Sequence, residues 1–294
     1  MAIDSSQLAA FAAVVQEGSF ERAAGTLHIT RSAVSQRVKL LEERVGQVLI
    51  RRASPCVPTE AGQALLRHAQ QVALSEAQAL QALGAAPHAG AHLAVGVNAD
   101  SLATWFVAAM AQARQAMPMT FDVHVEDQDH SSRLLREGRV MAAVTAEPRP
   151  VQGCRAMRLG TMRYRALASP GFIDQYFPHG VDADSLAAAP TLVFNRKDSL
   201  QQRFMRRVTR RPLSPPVLWI PSSHAFVKAC LAGLGWGMSP EGLVAPLVAS
   251  GQLVDLIPGK PIDVPLYWQC WQLDVAALAA LTQAVRTQAM HALR

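Results

Sequence analysis

The chain has 294 residues, half of them hydrophobic and 17 % charged, which excludes a disordered polymer and supports more than one buried core. Lysine and arginine outnumber aspartate and glutamate by 28 to 22, a formal +6. That surplus admits an acidic partner, and its placement matters more than its size.

Residues 5–83 carry helical periodicity with breaks. Phe11, Val14 and Val15 share one spacing, Phe20, Ala23, Ala24 and Leu27 a second, and Val34, Val38, Leu41 and Val45 a third. The interruptions at Gly18-Ser19 and His28-Ile29-Thr30 predict three short amphipathic helices, with Ser19 and Thr30 as N-caps. Val48 to Pro58 is β-prone and broken by Ser54-Pro55, which predicts a small hairpin. An uninterrupted Ala/Leu/Gln-rich helix is expected over 59–83, followed by a linker over 84–90 rich in glycine, alanine and proline.

Beyond the linker the texture alternates between strand and helix. Strands are predicted at 93–97, 120–126 and 140–145, with helices at 102–116 and 133–137, an order that argues for a parallel sheet. A second set follows, with strands at 164–169, 191–194 and 217–220 and helices at 199–210 and 223–232. Strand 266–271 and helix 274–291 close the chain. No apolar run approaches the roughly 18 to 20 residues that span a bilayer, so no membrane partner is expected. The opening MAIDSSQLAAF has neither a basic n-region nor an apolar core, and a cytoplasmic protein is expected. Cys56, Cys154, Cys230 and Cys270 are widely spaced, so they read as reduced thiols, with no metal site.

The most informative segment is 19–45. It places a helix, a turn and a second helix whose outward face carries Arg31, Ser32, Ser35, Gln36 and Lys39, side chains that read base edges and phosphates. The helix N-terminus at Thr30 is suited to a phosphate, and Arg37 adds charge beside the face. Between positions 22 and 52 lie seven basic residues and two acidic ones, a local +5. Arg51 and Arg52 in the hairpin would form a wing reaching neighbouring phosphates. The competing account is a small helical domain with a solvated basic face.

The stretch FAAVVQEGSFERAAGTLHITRSAVSQRVKLLEERVGQVLIRRASPCVPTEAGQALL resembles the winged helix-turn-helix of LysR-type transcriptional regulators, through its SAVSQ core, its LIRRASPCVPT wing and its TEAG helix start. VNADSLATW (97–105), VHVEDQ (123–128), YFPHGV (176–181), SSHAFVK (222–228) and LYW (266–268) resemble the arginine- and lysine-responsive ArgP/LysG branch, regulators of basic amino-acid export. The resemblance implies an α plus α/β architecture. Its parts are a winged helix-turn-helix over 1–58, a dimerising linker helix and hinge over 59–90, and a two-subdomain effector domain over 91–294 like periplasmic binding proteins. Subdomain I would take 91–161 plus 267–294 and subdomain II 162–266. It further implies promoter DNA and RNA polymerase as partners, a homodimer or homotetramer, and a small effector, L-lysine or L-arginine, with no cofactor. Another effector within the family, or a solute-binding protein or enzyme with an accessory helical domain, are the alternatives.

In a doubly wound sheet, ligands sit beyond the carboxyl ends of strands, against helix N-termini. That places Asn98, Asp100 and Ser101 at the first strand–helix junction, Thr145 at the end of the third strand, and Ser222 and Ser223 at the corresponding junction of the second set. Glu126, Asp127 and Asp129 follow the second strand, and a cationic amino acid needs such acceptors opposite donors for its carboxylate. Trp105 is a candidate to pack on an aliphatic stem or a guanidinium. Plain alternatives stand beside each: helix caps for Asp100 and Ser101, solvated turns for Asp127 and Asp129, core for Trp105. The five arginines between 203 and 211 read as a phosphate-attracting patch or a solvated face. No nucleophile elbow, Walker loop, GxGxxG or HExxH is present, and no enzyme is expected.

Overall fold

A computed structural model describes residues 3–83, 90–126 and 131–294. Asp127, Asp129 and nearly all of the expected linker lie outside the described residues. The chain opens with α1 (Ser5–Glu17), α2 (Phe20–Thr26) and α3 (Arg31–Val45). Each begins on a side-chain cap. Asp4 accepts from the N–H groups of Ser6 and Gln7, the Ser19 hydroxyl from Glu21 N–H at 3.2 Å, and the Thr30 hydroxyl from Ala33 N–H at 3.2 Å. Caps of this kind contribute about 1 kcal/mol each. Phe11, Val14, Ala23, Val34, Val38 and Leu41 are fully buried where the three helices meet.

The hairpin β1 (Ile50–Arg51) and β2 (Val57–Pro58) is antiparallel. The Glu42 carboxylate ties it to α3 by accepting from Leu49 N–H at 2.8 Å and Ile50 N–H at 3.3 Å. Helix α4 (Glu60–Ala82) starts hard against this wing, with the Thr59 hydroxyl accepting from Gly62 N–H. A Cβ on Gly62 would lie 2.1 Å from the Leu49 carbonyl oxygen, so only glycine permits this approach. The helix has 23 residues and is therefore about 34 Å long. Its Leu66 joins the core of the three-helix head, while Leu74 joins that of the α/β body.

In the body, β3 (Ala91–Val97) pairs in parallel with both β4 (Met119–Val125) and β5 (Ala142–Thr145). Helix α5 (99–116), with a π-helical turn over Leu102–Phe106, and α6 (Ser131–Arg136) form the crossovers. The order βαβαβ thus gives the parallel arrangement that the alternation predicts. Next come β6 (Cys154–Ala168), α7 (Pro170–Tyr176), α8 (Ala183–Ala188), β7 (Thr191–Val193) and α9 (Leu200–Val208). Then follow β8 (Val217–Trp219), α10 (Ser223–Leu231), β9 (Gly237–Pro240), α11 (Glu241–Ala249), β10 (Val254–Asp255), β11 (Ile262–Trp271) and α12 (Ala276–Ala292).

Two differences from the expected elements shape the body. Strands β6 and β11 are longer than their apolar runs suggest, 15 and 10 residues, and they pair antiparallel along almost their whole length. Four arginines (Arg155, Arg158, Arg163, Arg165) break the hydrophobic signal of β6 without breaking the strand. Elements α7, α8, β9, β10 and α11 were not expected, because each is short and several are interrupted by proline or glycine. The sheet runs β10-β6-β11-β5-β3-β4, with β9 on the other edge of β6. The first half of β6 and the second half of β11 therefore belong with β5, β3 and β4. Their other halves belong with β9 and β10. The pair changes sides where its register shifts between Leu266 and Tyr267 and where Gly160 adopts φ +143°. A Cβ at Gly160 would lie 2.8 Å from that of Leu293.

Candidate functional site

Helix α3 presents two kinds of surface. Val34, Val38 and Leu41 are buried, and the opposite side exposes Arg31, Ser32, Gln36 and Lys39, with Ser35 half-buried on the flank. Arg37 is half-buried on the other flank, away from the outward face. Two acidic neighbours moderate the basic side chains: Glu21 lies 3.7 Å from Arg31 and Glu43 lies 3.6 Å from Lys39, both pairs well exposed. In the wing, Arg51 is exposed, while the Arg52 guanidinium stacks 5.3 Å over the Phe20 ring. Thr30 spends its hydroxyl on the cap and on Ser32, 3.0 Å away. The cap fixes the start of α3 and with it the direction of this face.

The second site lies beyond the carboxyl ends of β3 and β4, closed from the far side by the 194–198 turn, the first turn of α10 and strand β9. It is a cavity of about 130 Å³ lined by Asn98, Asp100, Val125, Glu126, Phe194, Asn195, Asp198, Leu200, Ser223, Phe226, Met238 and Ser239, among others. Among the described residues, the lining holds three carboxylates and no lysine or arginine.

Asp100 stands at the centre. Its Oδ2 accepts from the Tyr164 hydroxyl at 2.9 Å and its Oδ1 from the Ser223 hydroxyl at 2.7 Å, so β6 and α10 both fix its orientation. Asn98 precedes α5 in the N-cap position but makes no cap hydrogen bond. Its side chain is 2 % exposed, and neither Oδ1 nor Nδ2 has a hydrogen-bond partner within the described protein. A buried amide left this way costs about 1–3 kcal/mol, and a ligand with both a donor and an acceptor would recover it. Glu126 follows β4 at the mouth, where its Oε1 accepts from the Lys197 ammonium at 2.9 Å and Arg133 approaches Oε2 at 3.6 Å. The Asp198 carboxylate accepts from Phe194 N–H at 3.0 Å and Leu200 N–H at 2.9 Å, which rigidifies the opposite wall.

Of the residues singled out from the sequence, Asn98, Asp100, Glu126 and Ser223 converge on this cavity. Four others do not. Trp105 is 3 % exposed, packs edge-on against Phe106 and lies in the body's core, because the π-helical turn carries it to the inner side of α5. Ser101 is fully buried, one position too far round the helix to reach the cavity. Thr145 is fully buried in the sheet, paired with Tyr267, and its hydroxyl accepts from Glu147 N–H. Ser222 is exposed and caps α10 through Ala225 N–H, leaving its neighbour Ser223 to reach Asp100. Phe194, Asn195, Asp198, Met238 and Ser239 were missed. An Asn-x-x-Asp spacing directly after strand 191–193 was the one local signal for the turn.

Elsewhere, burial pushes the Cys154 thiol up to about 11 and the Cys230 thiol up to about 12, which keeps both protonated and poorly reactive. Of the five arginines in 203–211, Arg207 donates to the Pro261 carbonyl at 2.6 Å and Arg211 pairs with Asp184 at 3.0 Å. Among the described residues, no cluster of histidine, cysteine or carboxylate could hold a metal ion, and no helix is long and apolar enough to cross a membrane.

Comparison with known proteins covers both sites. Residues 5–63 match the bacterial regulatory helix-turn-helix proteins of the lysR family, and residues 87–290 match the LysR substrate binding domain. The lysine export transcriptional regulatory protein LysG of Corynebacterium glutamicum is 41 % identical over 98 % of this chain and 98 % of its own. A crystal structure of ArgP from Mycobacterium tuberculosis superposes with a TM-score of 0.86 at 48 % identity, covering 100 % of this chain and 99 % of that one. Full-length LysG from Corynebacterium glutamicum with bound effector Arg superposes with a TM-score of 0.78 at 40 % identity, covering 99 % and 100 %. The chain therefore belongs to the LysR family: it is a DNA-binding transcriptional regulator with an effector-responsive C-terminal domain, and not an enzyme.

Proposed function

We propose that the cavity binds a basic amino acid, L-arginine or L-lysine, and that occupancy controls transcription of a basic amino-acid exporter gene. The observation that carries this reading is the Asn98 amide, buried and without a hydrogen-bond partner among the described residues, in a cavity whose described lining has three carboxylates and no lysine or arginine. Asn98 and the first N–H groups of α5 suit an α-carboxylate, Asp100 an α-ammonium, and Glu126 at the mouth the cationic end of the side chain. The effector-bound LysG relative, whose effector is Arg, supports the choice of ligand, and the name of the lysine export regulator supports the target.

On the same reading, residues 1–58 hold the DNA and 59–90 pair two copies and carry the hinge. Residues 91–294 clasp the effector between subdomain I (91–161 with 267–294) and subdomain II (162–266). Arg31, Ser32, Ser35, Gln36 and Lys39 face bases and phosphates, Thr30 and Arg37 flank them, and Arg51 and Arg52 reach the neighbouring backbone. A homodimer or homotetramer in the cytoplasm, acting at a promoter with RNA polymerase, completes the proposal. The effector shifts the balance between two closures of the lobes only by its differential affinity for them.

Calorimetric titration tests the ligand. Heat is expected from L-arginine or L-lysine at about 1 mM, and none from a panel of organic and aromatic acids. Heat from an acid and none from either basic amino acid overturns the assignment. Footprinting on the chain's own upstream region tests the target, with sequence-independent protection as the adverse result.

A further inference from the structure

Glu126 and Lys197 face one another across the cavity mouth from different lobes. Glu126 is anchored at the end of β4, its N–H donating to the Val97 carbonyl at 3.2 Å. Lys197 sits in a turn that its own neighbours hold rigid. Asn195 Oδ1 accepts from Lys197 N–H at 2.7 Å and from Asp198 N–H at 3.1 Å. The Asp198 carboxylate takes the N–H groups of Phe194 and Leu200 on either side. The lysine stem thus leaves from a fixed platform, and its ammonium reaches Glu126 Oε1 at 2.9 Å. The two side chains are 43 % and 22 % exposed, so the contact stands in partial contact with solvent.

We propose that Lys197 is a specificity-determining residue. It is a tethered ammonium that occupies the carboxylate wanted by the effector's cationic end, and it thereby favours a guanidinium over an ammonium. The inference rests on the basic amino-acid reading above. An incoming lysine side chain that displaces Lys197 exchanges one point-like, strongly hydrated ammonium for another, and gains little at Glu126. An arginine side chain offers two parallel N–H donors to the carboxylate, one to Oε1 in place of Lys197 and one to Oε2, which Arg133 approaches only at 3.6 Å, and it gives up less hydration, so it gains from the same exchange. Because Lys197 is held by the chain, it competes at a fixed high local concentration that the free amino acid must overcome. Partial exposure keeps the contest small, at the scale of a few-fold in affinity.

Calorimetric titration of the full chain and of Lys197→Gln with L-arginine and L-lysine decides it. The turn is held through backbone N–H groups and the side chains of Asn195 and Asp198, so the substitution leaves its hydrogen bonds in place. In Lys197→Gln, L-lysine should bind about fivefold tighter and L-arginine about twofold tighter, narrowing the preference between them. In Lys197→Arg the tethered group is itself a guanidinium, and L-arginine should lose its advantage. The gain from Lys197→Gln should vanish in a Glu126→Gln background, because the contested acceptor is gone. An unchanged arginine-to-lysine ratio, weaker L-lysine binding in Lys197→Gln, or an equal gain in the Glu126→Gln background overturns the proposal. If the wild type gives heat with both amino acids and the ratio stays fixed, only the role of Lys197 falls. If neither amino acid gives heat with any of these proteins, the effector reading falls with it.

Discussion

The DNA-facing helix and the effector cavity use similar polar side chains under opposite solvent conditions. On α3, Ser32, Gln36 and Lys39 stand exposed and hydrated, while apolar residues on the other face anchor the helix. At the cavity, Asn98 is 2 % exposed with neither polar atom partnered among the described residues, and Asp100 is gripped from two elements. Exposed polar groups stay bonded to water in the free protein and carry no desolvation cost there. A buried amide without a partner costs about 1–3 kcal/mol, so the cavity holds free energy that a fitting ligand releases. On the proposed reading the head is a surface that reads, and the cavity is a site whose occupancy alters the stability of the protein around it.

Breaking the cavity end of this contrast should give the largest effect. Asp100→Ala removes the proposed acceptor of the effector's ammonium and takes away the carboxylate to which the Tyr164 and Ser223 hydroxyls donate. Arginine affinity should fall about 100-fold, the scale of a lost charge-assisted hydrogen bond together with those that fix its acceptor. The salt dependence of DNA binding, which the head sets, should keep its slope. A fall below tenfold in calorimetry would show that Asp100 organises the cavity without touching the ligand.

The same contrast explains what could be read in advance. The head is built from contacts close in sequence: Ser19 and Thr30 cap the helices they precede, and Gly18 and Gly46 end theirs in the left-handed conformation. Periodicity and cap chemistry locate such elements directly. The cavity is assembled from segments as far apart as Asn98 and Ser239, and only the strand–helix junction at Asn98–Asp100 and the helix start at Ser223 leave local traces. Phe194–Asp198 lies in a turn whose chemistry serves the backbone, and β9 reads Gly-Met-Ser-Pro without alternation. Trp105 and Ser101 lie away from this cavity because a junction gives the position of a site but not the phase of the helix leaving it. Thr145 lies away from it because β11 covers β5 antiparallel, a pairing that is invisible from β5 alone.

Within the head, two substitutions separate reading from holding. Gln36→Ala should cost about 1–3 kcal/mol on the preferred operator and little on random DNA, relaxing base preference at one position. Arg51→Ala should weaken every sequence alike and reduce the slope of log affinity against log salt by about 1. Fluorescence anisotropy at several salt concentrations, on operator and scrambled duplexes, measures both. Equal losses on the two duplexes for Gln36→Ala would move the reading role to another residue of α3.

The smallest effect belongs to the crossover strands that join the lobes. Arg163 on β6 grips Asp263 on β11 through two hydrogen bonds of 2.8 Å, and this contact holds the Asp263 carboxyl below its usual range. A carboxyl with a lowered folded-state pKa adds stability above its unfolded pKa, and loses it as pH falls through the folded value. The pair is partly exposed, 27 % and 44 %, so Asp263→Asn should cost only about 0.2–1 kcal/mol near neutrality. That cost should shrink to nothing in acid well below pH 4, where the wild-type carboxyl is also protonated. Thermal unfolding of both proteins across this range measures the difference directly. Arg163 precedes Tyr164, whose hydroxyl holds Asp100, but successive side chains of a strand leave on opposite faces, so the same variant should leave arginine affinity within about twofold. A larger loss of affinity would place the crossover pair within the switch, coupling the clasp of the ligand to the strands on which the lobes turn.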